Sequence, residues 1–215
     1  MKLIDFHIDG TNFYRGLRDH FDNDNQYNWV DVKAMCERIK PKNTKVNKIY
    51  FYTAHMRNPY QPTTQEFADQ QQRQQNQKVY LEALTAYCKI EVIYGLSKER
   101  IKKCNSCQFE EETYIEKGVD VALTYGVCQS LRNEKVKAIG LVSGDGDYIY
   151  LLQPMTNDYS VDTYVYFPPS RRNRMLGSLA TDTRKIKPAT IKANQLPDKI
   201  DLGEGRILER PADWR

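Results

Sequence analysis

The sequence predicts an α/β chain built on a mainly parallel sheet of about five strands, with helices on both faces. Short β-rich runs alternate with longer amphipathic stretches along most of the chain, the pattern of strands joined by helical crossovers. With 215 residues, a chain of this length buries roughly 70% of its extended surface and needs no disulfide or metal staple. Neither an internal repeat nor a second domain is visible, so residues 1–185 read as one domain and 186–215 as an extended tail packing on it or trailing from it.

Residues 3–8 read as a strand closed by Asp9-Gly10, followed by a helical or loop-like segment at 12–21. Trp29, Val30, Val32, Met35, Cys36 and Ile39 have the spacing of an amphipathic helix, which Pro41 helps to stop. Strands follow at 48–53 and 90–94, separated by a loop at 58–62 and a long helix at 63–88. The glutamine-rich stretch of that helix, 70–77, reads as a solvated face. Gly118 opens a helix running to about Leu131, 138–142 is a compact apolar strand, and another helix starts near Tyr148. Residues 162–167 form a fifth strand, ended by Pro168-Pro169, and 171–183 read as helical. After Lys185 the chain is extended and proline-punctuated, and it is expected to be loosely attached beyond Pro197.

Composition narrows the function classes. Hydrophobic residues make up 40% and charged residues 28%, neither a disordered nor a membrane composition. The net charge of +4 permits a nucleic-acid partner without demanding one. No run approaches ~20 apolar residues, and Asp5 and Asp9 interrupt the N-terminal apolar stretch, so neither a membrane span nor a signal peptide is expected. The five cysteines then read as reduced thiols of a cytoplasmic protein.

The chemistry is concentrated at two strand ends. Open parallel sheets bind ligands beyond the carboxyl ends of their strands, where strand order reverses. Ile8-Asp9-Gly10-Thr11-Asn12 and Val142-Ser143-Gly144-Asp145-Gly146-Asp147 both place aspartate at that edge. If the two strands are neighbours, Asp9, Asp145 and Asp147 approach one another, and Asp120 joins from the first turn of its helix. Crowded carboxylates repel, and burial adds a desolvation cost, so protons or a cation must compensate. An oxygen-only set favours Mg²⁺ or Mn²⁺ over zinc, and such an ion suits water activation and phosphoryl chemistry. Ser143 and Asn12 would donate hydrogen bonds to water or phosphate. The structural alternative is turn chemistry: Asp-Gly at strand ends, Asp147 capping the next helix, Asp120 on a helix dipole. Other phosphoryl-transfer patterns fit less well. Thr11 stands where a haloacid-dehalogenase-like site wants its second aspartate, no upstream glutamate can be placed for a Toprim-type site, and no P-loop is present.

Together with Glu116-Lys117-Gly118-Val119-Asp120-Val121-Ala122-Leu123, these blocks resemble in order and context the signature of the NYN-domain family, LabA-like branch, over about residues 1–185. The resemblance implies a PIN-like three-layer α/β/α sandwich and a metal-dependent ribonuclease hydrolysing RNA phosphodiester bonds with Mg²⁺ or Mn²⁺. It implies Asp9, Asp120, Asp145 and Asp147 as the metal-binding catalytic set, with Asn12 beside them. One departure stands at Thr124-Tyr125-Gly126, where relatives often carry an aspartate.

Around that set, Lys117 would contact the scissile phosphate. Arg171, Arg172 and Arg174, and the basic run 98–103, would grip a phosphodiester backbone, with Tyr60, Phe109 and Tyr148 stacking on bases; a solvated charged surface is the alternative for each patch. Cys104-Asn-Ser-Cys107 has zinc-knuckle spacing but lacks a second pair, so free thiols are expected. His7, inside the first strand, reads as a core histidine. Two other readings stay open: an RNA-binding or regulatory module of the same fold with little turnover, and a nuclease acting on DNA. A homodimer is compatible with the sequence, which names no protein partner.

Overall fold

The computed structural model describes residues 1–56, 65–103, 106–108 and 110–215. The loop read at 58–62, with Tyr60, and also Cys104 and Phe109, lie outside the described residues. The elements in chain order are β1 (Lys2–Asp9), α1 (Gly10–His20), α2 (Val32–Ile39), β2 (Thr44–Thr53), α3 (Gln65–Ala86), β3 (Glu91–Tyr94), β4 (Leu96–Lys103), β5 (Glu110–Lys117) and α4 (Val119–Leu131). They continue with β6 (Val136–Val142), α5 (Ile149–Asp158), β7 (Asp162–Phe167), α6 (Arg174–Ser178), β8 (Asp182–Lys185), α7 (Pro188–Ala193), β9 (Lys199–Asp201) and β10 (Ile207–Glu209).

The central sheet has six strands in the order β3-β2-β1-β6-β7-β8, and every neighbouring pair is parallel. The chain works outward from β1 to β3, returns to the other side of β1 and works outward again to β8. Strand order therefore reverses between β1 and β6, and the carboxyl ends of these two strands flank the switch point.

Helices cover both faces, giving three layers. On one face Phe13 and Leu17 of α1, Met35 of α2 and Leu84 of α3 pack with Ile4, Phe6 and Ile8. On the other, Leu123 and Val127 of α4 and Leu152 and Met155 of α5 pack with Ile139, Leu141 and Val165. β1 alternates accordingly, but its second face carries Asp5, His7 and Asp9, all buried. Such groups survive burial only when hydrogen-bonded. Ser130 Oγ of α4 donates to Asp5 Oδ2 (2.8 Å), so it accepts from His7 Nε2 (3.1 Å). His7 Nδ1 is then left to accept from Tyr52 Oη (2.9 Å). Burial holds the His7 imidazole down at about 3, so it is neutral. His7 is a satisfied core residue, as its position in the sequence suggests.

Three parts differ from the sequence reading. The segment 171–183 is not one helix: α6 is short, and Asp182–Lys185 adds a sixth strand on β7. Thr163 and Thr181 guide that return, each backbone N–H donating to the other's hydroxyl. Leu96–Lys103 and Glu110–Lys117 form an antiparallel hairpin. Its two strands are charge-rich, so they carry little hydrophobic pattern, and at the open end Lys103 stands opposite Glu110. At the end of the basic run 98–103, Lys103 Nζ pairs with Glu110 Oε1 at 3.3 Å, whereas Lys98 and Arg100 stand opposite Ile115 and Thr113. Beyond Pro197 the chain is anchored rather than loose. Ile200 and Trp214 are buried in the core, Trp214 meets Trp29 at 6.2 Å and Tyr80 at 5.8 Å, and Trp29 Nε1 donates to Pro197 O (2.9 Å). Burying such aromatic rings contributes on the order of 2–3 kcal/mol each. Among the described residues no helix is long and apolar enough to cross a membrane.

Candidate active site

β1 and β6 run in register with Ile8 opposite Val142, so Asp9 and Ser143 emerge side by side at the switch point. Asp9 caps α1, its Oδ1 accepting from Asn12 N (2.9 Å), and its Oδ2 accepts from Ser143 Oγ (3.0 Å). Ser143 Oγ in turn accepts from Asp145 N (3.0 Å), and Asn12 Oδ1 accepts from Gly144 N (2.9 Å). Asp9, Asn12 and Ser143 thereby tie the two strand ends into one rigid loop. Gly144 is required there: a Cβ would stand 1.7 Å from the Arg171 carbonyl oxygen.

Asp120 enters from the first turn of α4, which Gly118 starts in the left-handed region at φ 78°. Tyr148 Oη donates to Asp120 Oδ1 (2.9 Å). The charges of Asp9, Asp120 and Asp145 all act on that phenol, whose pKa is pushed far up, first by burial and then by them. Of the four sequence-predicted aspartates, Asp120 bonds this buried hydroxyl directly, and the charges of Asp9 and Asp145 also reach it. Burial raises the Asp9 pKa to about 6; the Asn12 and Ser143 hydrogen bonds pull it down, and the charges of Asp120 and Glu116 push it further up.

Asp147 stands apart. It is exposed, and its backbone N–H donates to Asp145 Oδ1 (3.1 Å), so Asp145, not Asp147, is the local cap. Lys117 is exposed at the end of β5. The Arg171 guanidinium is tied to Asp19 of α1, which makes it a clamp on the loop. Arg172 and Arg174 are exposed and line a cavity of about 550 Å³ with Asn12, Asp145 and Asn173.

Two contributors are not evident from sequence. Glu116 Oε2 accepts from Thr11 Oγ1 (2.7 Å), which brings a further carboxylate up to Asp9. It lies within the Glu116–Leu123 block, but only the hairpin turns it back toward α1. Tyr148, read as a base stacker, is buried and orients Asp120 instead.

The donor set is all oxygen, one carboxylate is strained by burial and like charge, and a hard divalent cation would relieve both. Among the described residues no three carboxylate, imidazole or thiolate groups converge to ligate one ion directly. Mg²⁺ does not need that convergence, because it keeps several waters and binds through one or two carboxylates. The residues fit such an ion.

No curated protein matches the chain. Among solved structures, a protein of unknown function from Vibrio parahaemolyticus is similar over 87% of this chain and 94% of its own, at 19% identity and a TM-score of 0.49. The NYN domain model matches residues 6–184, from β1 into β8, and the chain accordingly belongs to the NYN domain family, whose fold is that of the PIN-like nucleases.

Proposed function

We propose that this chain is a metal-dependent ribonuclease of the LabA-like branch, hydrolysing RNA phosphodiester bonds at the β1–β6 switch point. The observation that supports the reading is that Asp120 bonds the Tyr148 hydroxyl while the charges of Asp9 and Asp145 act on the same phenol, beside the β1–β6 switch point. Mg²⁺ or Mn²⁺ would bind through one or two of Asp9, Asp120 and Asp145 and keep several waters, with Glu116 a further acidic neighbour of Asp9 and Asp147 exposed two residues from Asp145. When bound, the ion lowers the pKa of an attacking water and offsets charge on the phosphoryl oxygens.

The chain's own residues do the rest. Ser143 and Asn12 fix the Asp9 carboxylate and the Gly144 loop, so the acidic edge is set before substrate arrives. Tyr148 locks Asp120. Arg172 and Arg174, on the wall of the adjoining cavity, would meet substrate phosphates, with Lys117 beside the same edge.

Digestion of mixed RNAs with titrated Mg²⁺ and Mn²⁺ tests this. Asp120→Asn and Asp145→Asn should each lower turnover by about 10³-fold while leaving the fold intact, the loss expected when several kcal/mol of charge stabilisation are removed. Full activity in either variant refutes the assignment. RNA binding that persists without metal and yields no product would identify a binding module instead. Equal incubation with RNA and DNA of one sequence separates a ribonuclease from a nuclease acting on DNA.

A further inference from the structure

A helix on the surface of a soluble protein normally hides one apolar side and shows a polar one; α4 departs from this. Val119, Leu123, Val127 and Ser130 recur every three or four residues and are buried, forming its inner side. Val121, Tyr125 and Cys128 recur at the same intervals, and Arg132 follows one turn later. At about 100° per residue this second stripe lies opposite the first. Val121 is 72% and Tyr125 65% exposed, and Cys128 is an exposed free thiol.

The apolar surface continues past the helix. Gly95 stands so close to the first turn that a Cβ would lie 2.4 Å from Val119 Cγ2. The next residue, Leu96, at the root of the β4–β5 hairpin, is 74% exposed. Single apolar residues are ordinary on a surface, but a continuous stripe with an adjoining leucine is the mark of an interaction site.

The charges around the stripe fit one occupant. Within α4 the one charged side chain is Asp120, in the first turn, and Arg132 caps the other end. Lys117 precedes the helix and Glu134 follows it, both exposed. Two copies laid antiparallel about a two-fold axis bring Arg132 of each to the first turn of the other, with Glu134 toward Lys117, and they oppose their helix dipoles. A parallel pair would set Asp120 against Asp120 and Arg132 against Arg132. Size matches as well: in the antiparallel pair the Tyr125 ring falls over the small Thr124 of the other copy, and Val121 over Cys128.

We infer that α4 is the contact helix of a homodimer, its Val121–Tyr125–Cys128 stripe packed antiparallel on the same stripe of a second copy, with Leu96 at the margin. Because α4 also carries Asp120, the second copy then borders the acidic edge. The inference is independent of what that edge cleaves.

Sedimentation velocity of the full chain from about 1 to 100 µM tests it. The parent should sediment as a dimer at the top of that range and dissociate on dilution. Tyr125→Glu should weaken association by at least about tenfold without changing the circular dichroism spectrum. A parent that stays monomeric throughout, or a dimer that a folded Tyr125→Glu chain still forms with equal strength, overturns the inference. Cross-linking reads the arrangement and carries the test if Tyr125→Glu does not fold. It uses copper–phenanthroline and dissolved oxygen as oxidant, in a chain carrying Cys104→Ser and Cys107→Ser; Cys36 and Cys88 are buried. Adding Val121→Cys should give a disulfide-linked dimer through Cys128 of the second copy, and adding Cys128→Ser should abolish it. A cross-link that is absent, or that survives the loss of Cys128, overturns the antiparallel pairing.

Discussion

Asp9 serves as a helix cap and as an acidic ligand candidate at once, and the two roles pull its proton in opposite directions. The Asn12 N–H and the Ser143 hydroxyl favour the carboxylate; burial and the nearby Asp120 and Glu116 charges oppose it more strongly, leaving a pKa of about 6 against an ordinary 3.8. The sign of the consequence follows by linkage. Below about pH 3.8 both folded and unfolded chains hold the proton, and Asp9 costs nothing. As pH rises through 6 the folded chain must ionise a disfavoured group and loses on the order of 3 kcal/mol. Asp9→Asn keeps the cap and removes that loss. In the absence of divalent cations its thermal midpoint should exceed that of the parent at pH 8 and converge with it near pH 4, read by calorimetry across the range. Equal midpoints at pH 8 would mean that the carboxylate is not strained. His7 bends the other limb of the curve: held neutral by burial, it costs stability as pH falls below about 6.5.

The position of α4 decides where Asp120 stands, and two small residues dock this helix. Ser130 joins the buried Asp5–His7–Tyr52 chain. Gly126 leaves room for the Tyr52 phenol, since a Cβ there would lie 2.0 Å from its oxygen. Gly126→Ala should therefore destabilise the chain by about 1–3 kcal/mol and reduce RNA cleavage by displacing Asp120. Tyr52→Phe in the same chain should recover part of both losses, and a double-mutant cycle by chemical denaturation and initial rates measures the coupling. Strictly additive effects would show that the two residues do not press on each other. This packing explains why position 126 tolerates no side chain here. The β4–β5 hairpin was harder to read. Its residues alternate charge with charge, its pairing is set by the opposite strand, and that strand alone brings Glu116 back to Thr11.

Across the whole molecule, what was legible in sequence is what hydrophobic patterning and turn chemistry encode. The β1, β2, β6 and β7 runs are apolar enough to mark themselves, and the aspartates at two strand ends mark the edge. Residues whose role depends on distant partners were not legible. Tyr148 orients Asp120 from another element, Trp214 anchors the C-terminal segment on Trp29 and Tyr80, and Asp147 faces solvent although it sits two residues from Asp145. The parallel sheet sets Asp9 at the end of β1 beside the β6 exit that carries Asp145, so under the proposed function a cation held there would link the two strand ends and add to the stability of the folded chain. The most direct test is a titration of the chain with Mn²⁺, counting free ion by electron paramagnetic resonance. The account predicts saturable binding in the parent that is lost or weakened by at least about tenfold in both Asp9→Asn and Asp145→Asn. Binding of equal strength in the parent and both variants would show that these carboxylates do not hold the ion, and would contradict the account.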